Sequence, residues 1–475
     1  MENFEQFLLN PNAQELARLL PITWKNSDGF ENLVYSRVFN LRVPTRLPIA
    51  IIQVKEENDI INGVKLANIL NLKVSVISGG HSWAVWGVRE DALMLDLGNY
   101  KEIRFNDETR TVTASTSIDG RTLNSYLLKN KHRFFPGGHC PDVGIGGFLL
   151  QGGMGWCCRG WGWACERIKS LRAVTADGKL LTCSETENSD LFWVARGCGP
   201  GFPGIVSTFE LETIPEKVLY SATYIYDISK FKEVMNWIVK VSPTTDQDVE
   251  TVVVTSVPEF QKKPVVTAHI VSFKDLDNDC ITELRKYENS KPPGALSEIF
   301  GKKTSLEAEY EAQANANPKR HRYRTDNVYL RSDVNVADVL EQSFTTIPNQ
   351  KTFCLYLSMD PLTKLKDMAL SMQTEHYVAI YAVSDNKEED DQVANWMSRS
   401  FQSLEKYSAG AYLGDSDFQI RKTPFWGAEQ HLKLNKLRDF FDPKKRFCGY
   451  LKDPINEKKN NELSLHEVLH SKASL

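Results

Sequence analysis

Ser78-Gly79-Gly80-His81-Ser82 and Pro136-Gly137-Gly138-His139-Cys140-Pro141-Asp142-Val143-Gly144-Ile145-Gly146-Gly147 are the two stretches that decide how this chain folds. The second continues through Gln151-Gly152-Gly153-Met154-Gly155. Lys73-Val74-Ser75-Val76-Ile77, directly before the first, reads as a strand. Glycine lets backbone approach an anion closely and reach positive φ at little steric cost. Successive backbone N–H groups in such a loop form a nest that can hold a phosphate. Two of these loops in one domain suit a long, pyrophosphate-bearing cofactor better than a single phosphate. Neither has the Gly-x-x-x-x-Gly-Lys-Ser/Thr spacing of a nucleotide loop, and neither stands as Gly-x-Gly-x-x-Gly between a first strand and helix. Either loop alone fits a ligand-free turn. Together, with a histidine and a cysteine inside them, they point to a ligand.

Outward from the loops the first half alternates strands and helices. Ile49–Val54, Ala92–Asp96 and Thr111–Ser115 read as strands, and Glu57–Leu70 and Thr122–Leu128 as helices. Leu171–Thr175 and Leu180–Cys183 flank Asp177-Gly178, a hairpin signal. Residues 1–40 read as a short helical lead-in with a proline-rich join. In the second half, strands at Thr251–Thr255, Val265–Val271, Lys351–Met359 and His376–Val383 alternate with amphipathic helices at Ile228–Val241, Val334–Thr346 and Asn395–Glu405. The charged stretch from Lys286 to Arg324 is expected to be mobile. Leu432–Phe441 reads as a helix ending at Asp442-Pro443, before a polar tail.

The 475 residues are 41% hydrophobic and 25% charged, enough for a large core and outside the range of disordered or fibrous chains. Lys plus Arg number 57 against 61 Asp plus Glu, so the basic surplus of a nucleic-acid binder is missing. The acidic start lacks a secretory pattern and no apolar run reaches bilayer length. Ala473-Ser474-Leu475 lacks the basic middle residue of a peroxisomal signal. These features give the expectation of a cytoplasmic protein with no membrane or nucleic-acid partner, monomeric or homodimeric. Nine cysteines, an odd count without a secretory signal, argue against a disulfide framework. His81 and Cys140 can be read as metal ligands, but two residues without a third make a poor zinc site, so no metal is expected. A Cys–His nucleophile pair is a further reading, though it gives no reason for so many glycines.

Residues from about 45 to 215 resemble the FAD-binding domain of the vanillyl-alcohol oxidase superfamily, nearest to its berberine bridge enzyme-like and 6-hydroxy-D-nicotine oxidase-like members. The resemblance is carried by Ser78-Gly-Gly-His-Ser82, Cys140-Pro-Asp-Val-Gly-Ile-Gly-Gly147 with Gly152-Gly-Met-Gly155, Asp190-Leu-Phe-Trp-Val-Ala-Arg-Gly-Cys-Gly199, and Phe441-Asp-Pro-Lys-Lys-Arg-Phe447. It implies an α+β fold of two units. A discontinuous FAD-binding domain would take residues 1–216, with its core at about 44–216, and the returning segment 425–475. A substrate domain, 217–424, would form an antiparallel sheet backed by helices.

The resemblance also implies a bicovalent flavin, with His81 on the 8α-methyl and Cys140 on carbon 6. Ser78, Gly79, Gly80, Ser82, Val143, Gly144, Gly147, Gly152, Gly153, Gly155 and Val206 complete the expected cofactor-binding set. In related oxidases a valine at the Val143 position leaves room for oxygen. The implied activity is two-electron oxidation of an alcohol, amine or secondary-metabolite intermediate, with O2 reduced to H2O2. A dehydrogenase using another acceptor and a non-catalytic flavin-containing binder remain open alternatives. The family pattern breaks at the base: relatives carry a tyrosine before the terminal Asp-Pro, where this chain has Pro424-Phe-Trp-Gly-Ala-Glu-Gln-His431. His431, Tyr412 in Ala411-Tyr-Leu-Gly-Asp415, Tyr356 and Tyr381 are therefore the base candidates.

Overall fold

The computed structural model describes residues 9–259, 261–316, 321–417 and 421–451. The first four strands, β1 (Ile22–Trp24), β2 (Ala50–Gln53), β3 (Val74–Ile77) and β4 (Leu93–Asp96), form a sheet in the order β1-β2-β4-β3. β2, β4 and β3 run parallel. Every residue of β4 is buried, as parallel strands covered on both faces require. The helix Glu57–Ile69 packs Ile60, Val64 and Ala67 into the core that also holds Ile52 and Leu95. A capping box between Glu56 and Asp59 closes its first turn. β3 ends at Ile77, so Ser78–Ser82 emerges at the carboxyl end of a parallel strand, where open α/β sheets place ligands.

Seven strands follow: β5 (Ile103–Asn106), β6 (Thr111–Ser115), β7 (Arg133–Phe134), β8 (Ile168–Val174), β9 (Leu180–Ser184), β10 (Ile205–Glu212) and β11 (Ile214–Pro215). Five of them form an antiparallel sheet, β5-β6-β10-β8-β9, and β7 pairs with β11. β8 and β9 are the hairpin expected around Asp177-Gly178, with Gly178 at φ +77°.

The third sheet comprises β12 (Val218–Asp227), β13 (Val249–Ser256), β14 (Val265–Lys274), β15 (Ser297–Thr304), β16 (Arg322–Leu330), β17 (Phe353–Ser358), β18 (His376–Ser384) and β19 (Ser408–Gly410), ordered β15-β12-β14-β13-β17-β18-β16-β19. Helices Phe231–Val241, Asp277–Glu288, Val336–Thr345 and Lys387–Leu404 cover one face. Tyr224, Val253, Cys354, Tyr356 and Ile380 point into that helix-side core. Their alternate neighbours on the strands, such as Val252, Leu355 and Leu357, point to the opposite face. Each fully buried large apolar side chain contributes about 1.5–3 kcal/mol, so the register of this sheet is fixed by its helix side.

The expectation of a mobile segment from Lys286 to Arg324 is corrected for its described residues, 286–316 and 321–324; residues 317–320 lie outside them. The segment holds β15, the helix Leu306–Ala316 and the start of β16. Its charges reflect a solvated edge rather than missing order: Lys302 and Lys303 sit exposed on the edge strand, where lysines discourage further pairing. The helix buries Leu306 and Tyr310, and the Tyr310 hydroxyl lies 3.0 Å from the Asn124 amide of the first unit.

The expected C-terminal helix spans Ala428–Phe441. Beyond it the Asp442 carboxylate accepts from the amides of Arg446 and Phe447 at 2.7 and 2.8 Å. The chain then joins β3, with Val74 donating to the Arg446 carbonyl and Cys448 to that of Val74. The polar tail beyond Asn456, with Ala473-Ser474-Leu475, lies outside the described residues. Among the described residues no helix is long and apolar enough to cross a membrane, and none of the nine cysteines forms a disulfide.

Candidate active site

The two glycine loops meet backbone to backbone. A Cβ on Gly79 would lie 2.5 Å from the Gly144 nitrogen and 2.8 Å from its Cα. Ser78 fixes the approach by donating to the Thr116 carbonyl at 2.6 Å, and the same carbonyl accepts from the Gly146 amide. Arg37 donates to the Ser78 carbonyl at 2.6 Å and pairs with Asp96 at 3.3 Å. Gly79→Ala has only rigid backbone to push against, so it should cost about 1–3 kcal/mol by overpacking. It should lower both the Tm and the flavin-to-protein ratio. Gly147→Ala makes the contrast. Its Cβ meets nothing within 4 Å and faces the cavity, so stability should hold while the flavin ratio falls.

The loops border a cavity of about 1010 Å³, enclosed on its far side by the helix-free face of the third sheet. Among the expected cofactor-binding residues, Ser78, Gly79, Gly80, His81, Ser82, Cys140, Val143, Gly144, Gly147 and Val206 all line it. Gly152, Gly153 and Gly155 do not. Gly152 (φ +112°) packs on Leu370 and Trp163, and Gly153 (φ +78°) on Phe148 and Ala164. Gly155 abuts the Pro136 carbonyl. These three shape the turn behind the cavity wall.

His81 stacks on Phe39 with ring centroids 4.4 Å apart, and its Nε2 lies 3.5 Å from Asp142. Cys140 is half-buried and shares the cavity wall with Tyr323 and Tyr381, near enough that a charged thiolate there raises both phenol pKa values further. Beside it, His139 pairs with buried Glu250 at 2.7 Å and packs on Trp156 at 4.3 Å. Burial opposes charge on His139, but the Glu250 carboxylate outweighs it and holds the imidazole pKa above its ordinary value.

The four base candidates separate cleanly. His431 is not among the cavity-lining residues. It starts the C-terminal helix, packs on Trp426 at 5.5 Å and shares a 2.8 Å hydrogen bond with Asn435. Tyr356 faces the helix layer and pairs with His376 at 2.9 Å, because strand alternation gives the cavity to Leu355 and Leu357 instead. Tyr381 and Tyr412 do line the cavity. Tyr381 stacks on Phe353 at 4.6 Å, and the Tyr412 oxygen accepts from the Gly153 and Met154 amides at 3.2 and 3.3 Å. Burial pushes both phenols well above the ordinary tyrosine value, with Asp415 adding to the shift.

The residue that motif reading passes over is Asp415, three positions after Tyr412 in the same quoted segment. Its carboxylate faces the cavity and accepts from the Tyr377 hydroxyl at 2.6 Å. Burial raises its pKa above the ordinary aspartate value, against hydrogen bonds from Tyr377, Tyr381 and Trp83. β16 holds this loop in place. The Asn327 side chain bonds the Tyr412 amide and carbonyl, both at 2.7 Å, and the Thr325 hydroxyl donates to the Asp415 carbonyl at 3.2 Å.

His81, Cys140 and the half-buried Asp415 all line one cavity that the two glycine loops border. The matching family model is a FAD binding domain, over residues 48–184. The chain is 34% identical to the FAD-linked oxidoreductase ptmO of Penicillium ochrochloron over 440 residues, 92% of this chain and 97% of that protein. Two solved structures share the fold. BBE-like 1 of Physcomitrella patens gives a TM-score of 0.80 at 17% identity, covering 95% of this chain and all of the other. The 6-hydroxy-D-nicotine oxidase of Arthrobacter nicotinovorans gives 0.80 at 19%, covering 92% and 98%. The chain belongs to the FAD-linked oxidoreductases of the vanillyl-alcohol oxidase superfamily. The residues fit the cofactor: Gly147 leaves its space to the cavity, and the amides of Gly79, Gly80, His81 and Ser82 donate to no backbone carbonyl among the described residues.

Proposed function

We propose that the protein is an oxidase whose FAD is attached at both His81 and Cys140 and whose substrate is a small organic alcohol or amine. The observation that supports this most is the convergence of His81, Cys140 and Asp415 on one cavity from three separate segments. Bound FAD would supply the two-electron acceptor chemistry, with O2 and two protons the source of H2O2.

The side chains of the chain do the rest. The Asp415 carboxylate takes the proton from the substrate O–H or N–H as the carbon is oxidised. Its raised pKa brings it closer to a working base at neutral pH, and the Tyr377 hydroxyl holds its orientation. Tyr381 and Tyr412 remain protonated phenols and act as donors and walls rather than bases. Val143, lining the cavity beside Cys140, leaves space for O2. Val252, Val254, Phe353, Leu355 and Leu357 keep water from the reacting carbon. Such a wall suits a secondary-metabolite intermediate better than a sugar, which needs many hydrogen-bonding partners.

The purified protein should be yellow, and a substrate that bleaches it anaerobically should yield equimolar H2O2 when air is admitted. A colourless protein from flavin-replete cells, or a bleached flavin that stays bleached in air, contradicts the reading.

A further inference from the structure

Five side chains form one continuous row across the cavity face of the third sheet. The strand register pairs Thr223 with His269, His269 with Val252, Val252 with Leu357 and Leu357 with Tyr377. All five line the cavity, and Tyr377 ends the row by bonding Asp415. The opposite end is also polar. His269 lies 2.9 Å from the Thr223 hydroxyl and 3.1 Å from the Glu309 carboxylate, and Thr304 donates to the other Glu309 oxygen at 2.7 Å. Between the two ends lies an apolar floor: Val252 and Leu357 in this row, Val254 and Leu355 in the next.

Glu309 comes from the helix Leu306–Ala316, and its side chain is 8% exposed. Burial would raise its pKa, but the hydrogen bond and charge of His269, with the Thr304 hydrogen bond and the charge of Lys302, outweigh it and lower it from its ordinary value. An ionised carboxylate has about four acceptor positions and donates nothing. His269 and Thr304 fill two of them, and Glu309 is among the residues that line the cavity. A buried carboxylate with spare acceptor capacity favours a donor supplied by a ligand.

We propose that Glu309, set by His269 and Thr304, is a second binding subsite that anchors a hydroxyl or amine donor at one end of an elongated, mainly apolar substrate. The placement of the reacting carbon at the Asp415 end rests on the oxidase reading above. From His269 to Tyr377 are three strand steps of roughly 4.8 Å, so the apolar body should span about 14 Å. The row acts as a ruler: the anchored head decides which carbon reaches Asp415.

The test uses the flavin-loaded enzyme and a series of straight-chain terminal diols of increasing length, each beside its mono-alcohol. Binding is read from the perturbed visible flavin spectrum, independently of turnover. Affinity should peak for the diol matching the span, about tenfold above its mono-alcohol, as one hydrogen bond to a charged group allows. Glu309→Ala should abolish that preference and leave mono-alcohol binding in place; Glu309→Gln, which keeps a carbonyl acceptor, should retain part of it. Equal binding of diols and mono-alcohols at every length overturns the proposal, as does a full diol preference in Glu309→Ala. Failure of the oxidase reading shows separately, as diols that bind with the expected preference but never bleach the flavin.

Discussion

His81→Ala and Cys140→Ala should each leave the yellow colour in the acid-precipitated protein, and only the double substitution should release it to the supernatant. On the proposed reading the two attachments would be independent. His81 is presented by the loop after β3 and braced by Phe39 and Asp142, whereas Cys140 lies in the turn before the helix Ile145–Leu150, on the wall shared with Tyr323 and Tyr381. Neither substitution touches the backbone contact between Gly79 and Gly144 that joins the loops; His81→Ala also removes the 3.5 Å approach to Asp142 of the second loop. The single variants should therefore fold, bind FAD and differ from each other in visible spectrum. Mass spectrometry of proteolytic fragments should find flavin on the His81 peptide in Cys140→Ala and on the Cys140 peptide in His81→Ala. Release of all colour by either single change would leave one attachment at most.

The parts of this architecture that local chemistry dictates were legible in the sequence. The β3 strand, the glycine loops after it and the Asp177-Gly178 hairpin follow from alternation and turn residues, and the structure has each of them. The proposed base was not legible, because its place depends on which face of a strand meets which loop. Tyr356 and Leu357 are neighbours in sequence, yet one enters the helix-side core and the other the cavity, and only sheet register decides between them. Asp415 gave a weak signal. An aspartate after Leu-Gly reads as a turn residue until Tyr377, from a strand distant in sequence, is seen to bond it. The charged run through β15 misled for a related reason: edge strands carry lysines to stay soluble, and composition alone cannot tell that from disorder.

Asp415→Asn should lower kcat/KM by about 10²–10⁴-fold, the usual contribution of a positioned general base, with the flavin still attached. With Asp415 as the proposed base, the working form would be the ionised carboxylate. Activity should therefore fall on the acid side, with a midpoint above the ordinary carboxylate value of about 3.9, because burial raises the Asp415 pKa. The variant should lack that acid limb. Tyr377→Phe separates positioning from chemistry. The Tyr377 hydrogen bond favours the charged carboxylate, so its loss should move the midpoint to higher pH while most of the maximal rate survives. Stability should change in the opposite sense to activity. The folded protein holds the Asp415 proton more tightly than the unfolded chain does. That preference stabilises it in acid, below the unfolded carboxylate pKa, and is lost as pH rises through the folded value. Asparagine carries no charge to bury, so Asp415→Asn should match the parent Tm in acid and exceed it at neutral and alkaline pH. A variant that gains stability at high pH while losing turnover marks a carboxylate kept for chemistry at a cost to the fold. A variant with unchanged kcat/KM would put the proton acceptor elsewhere on the cavity wall, with the His139–Glu250 pair the next group to replace.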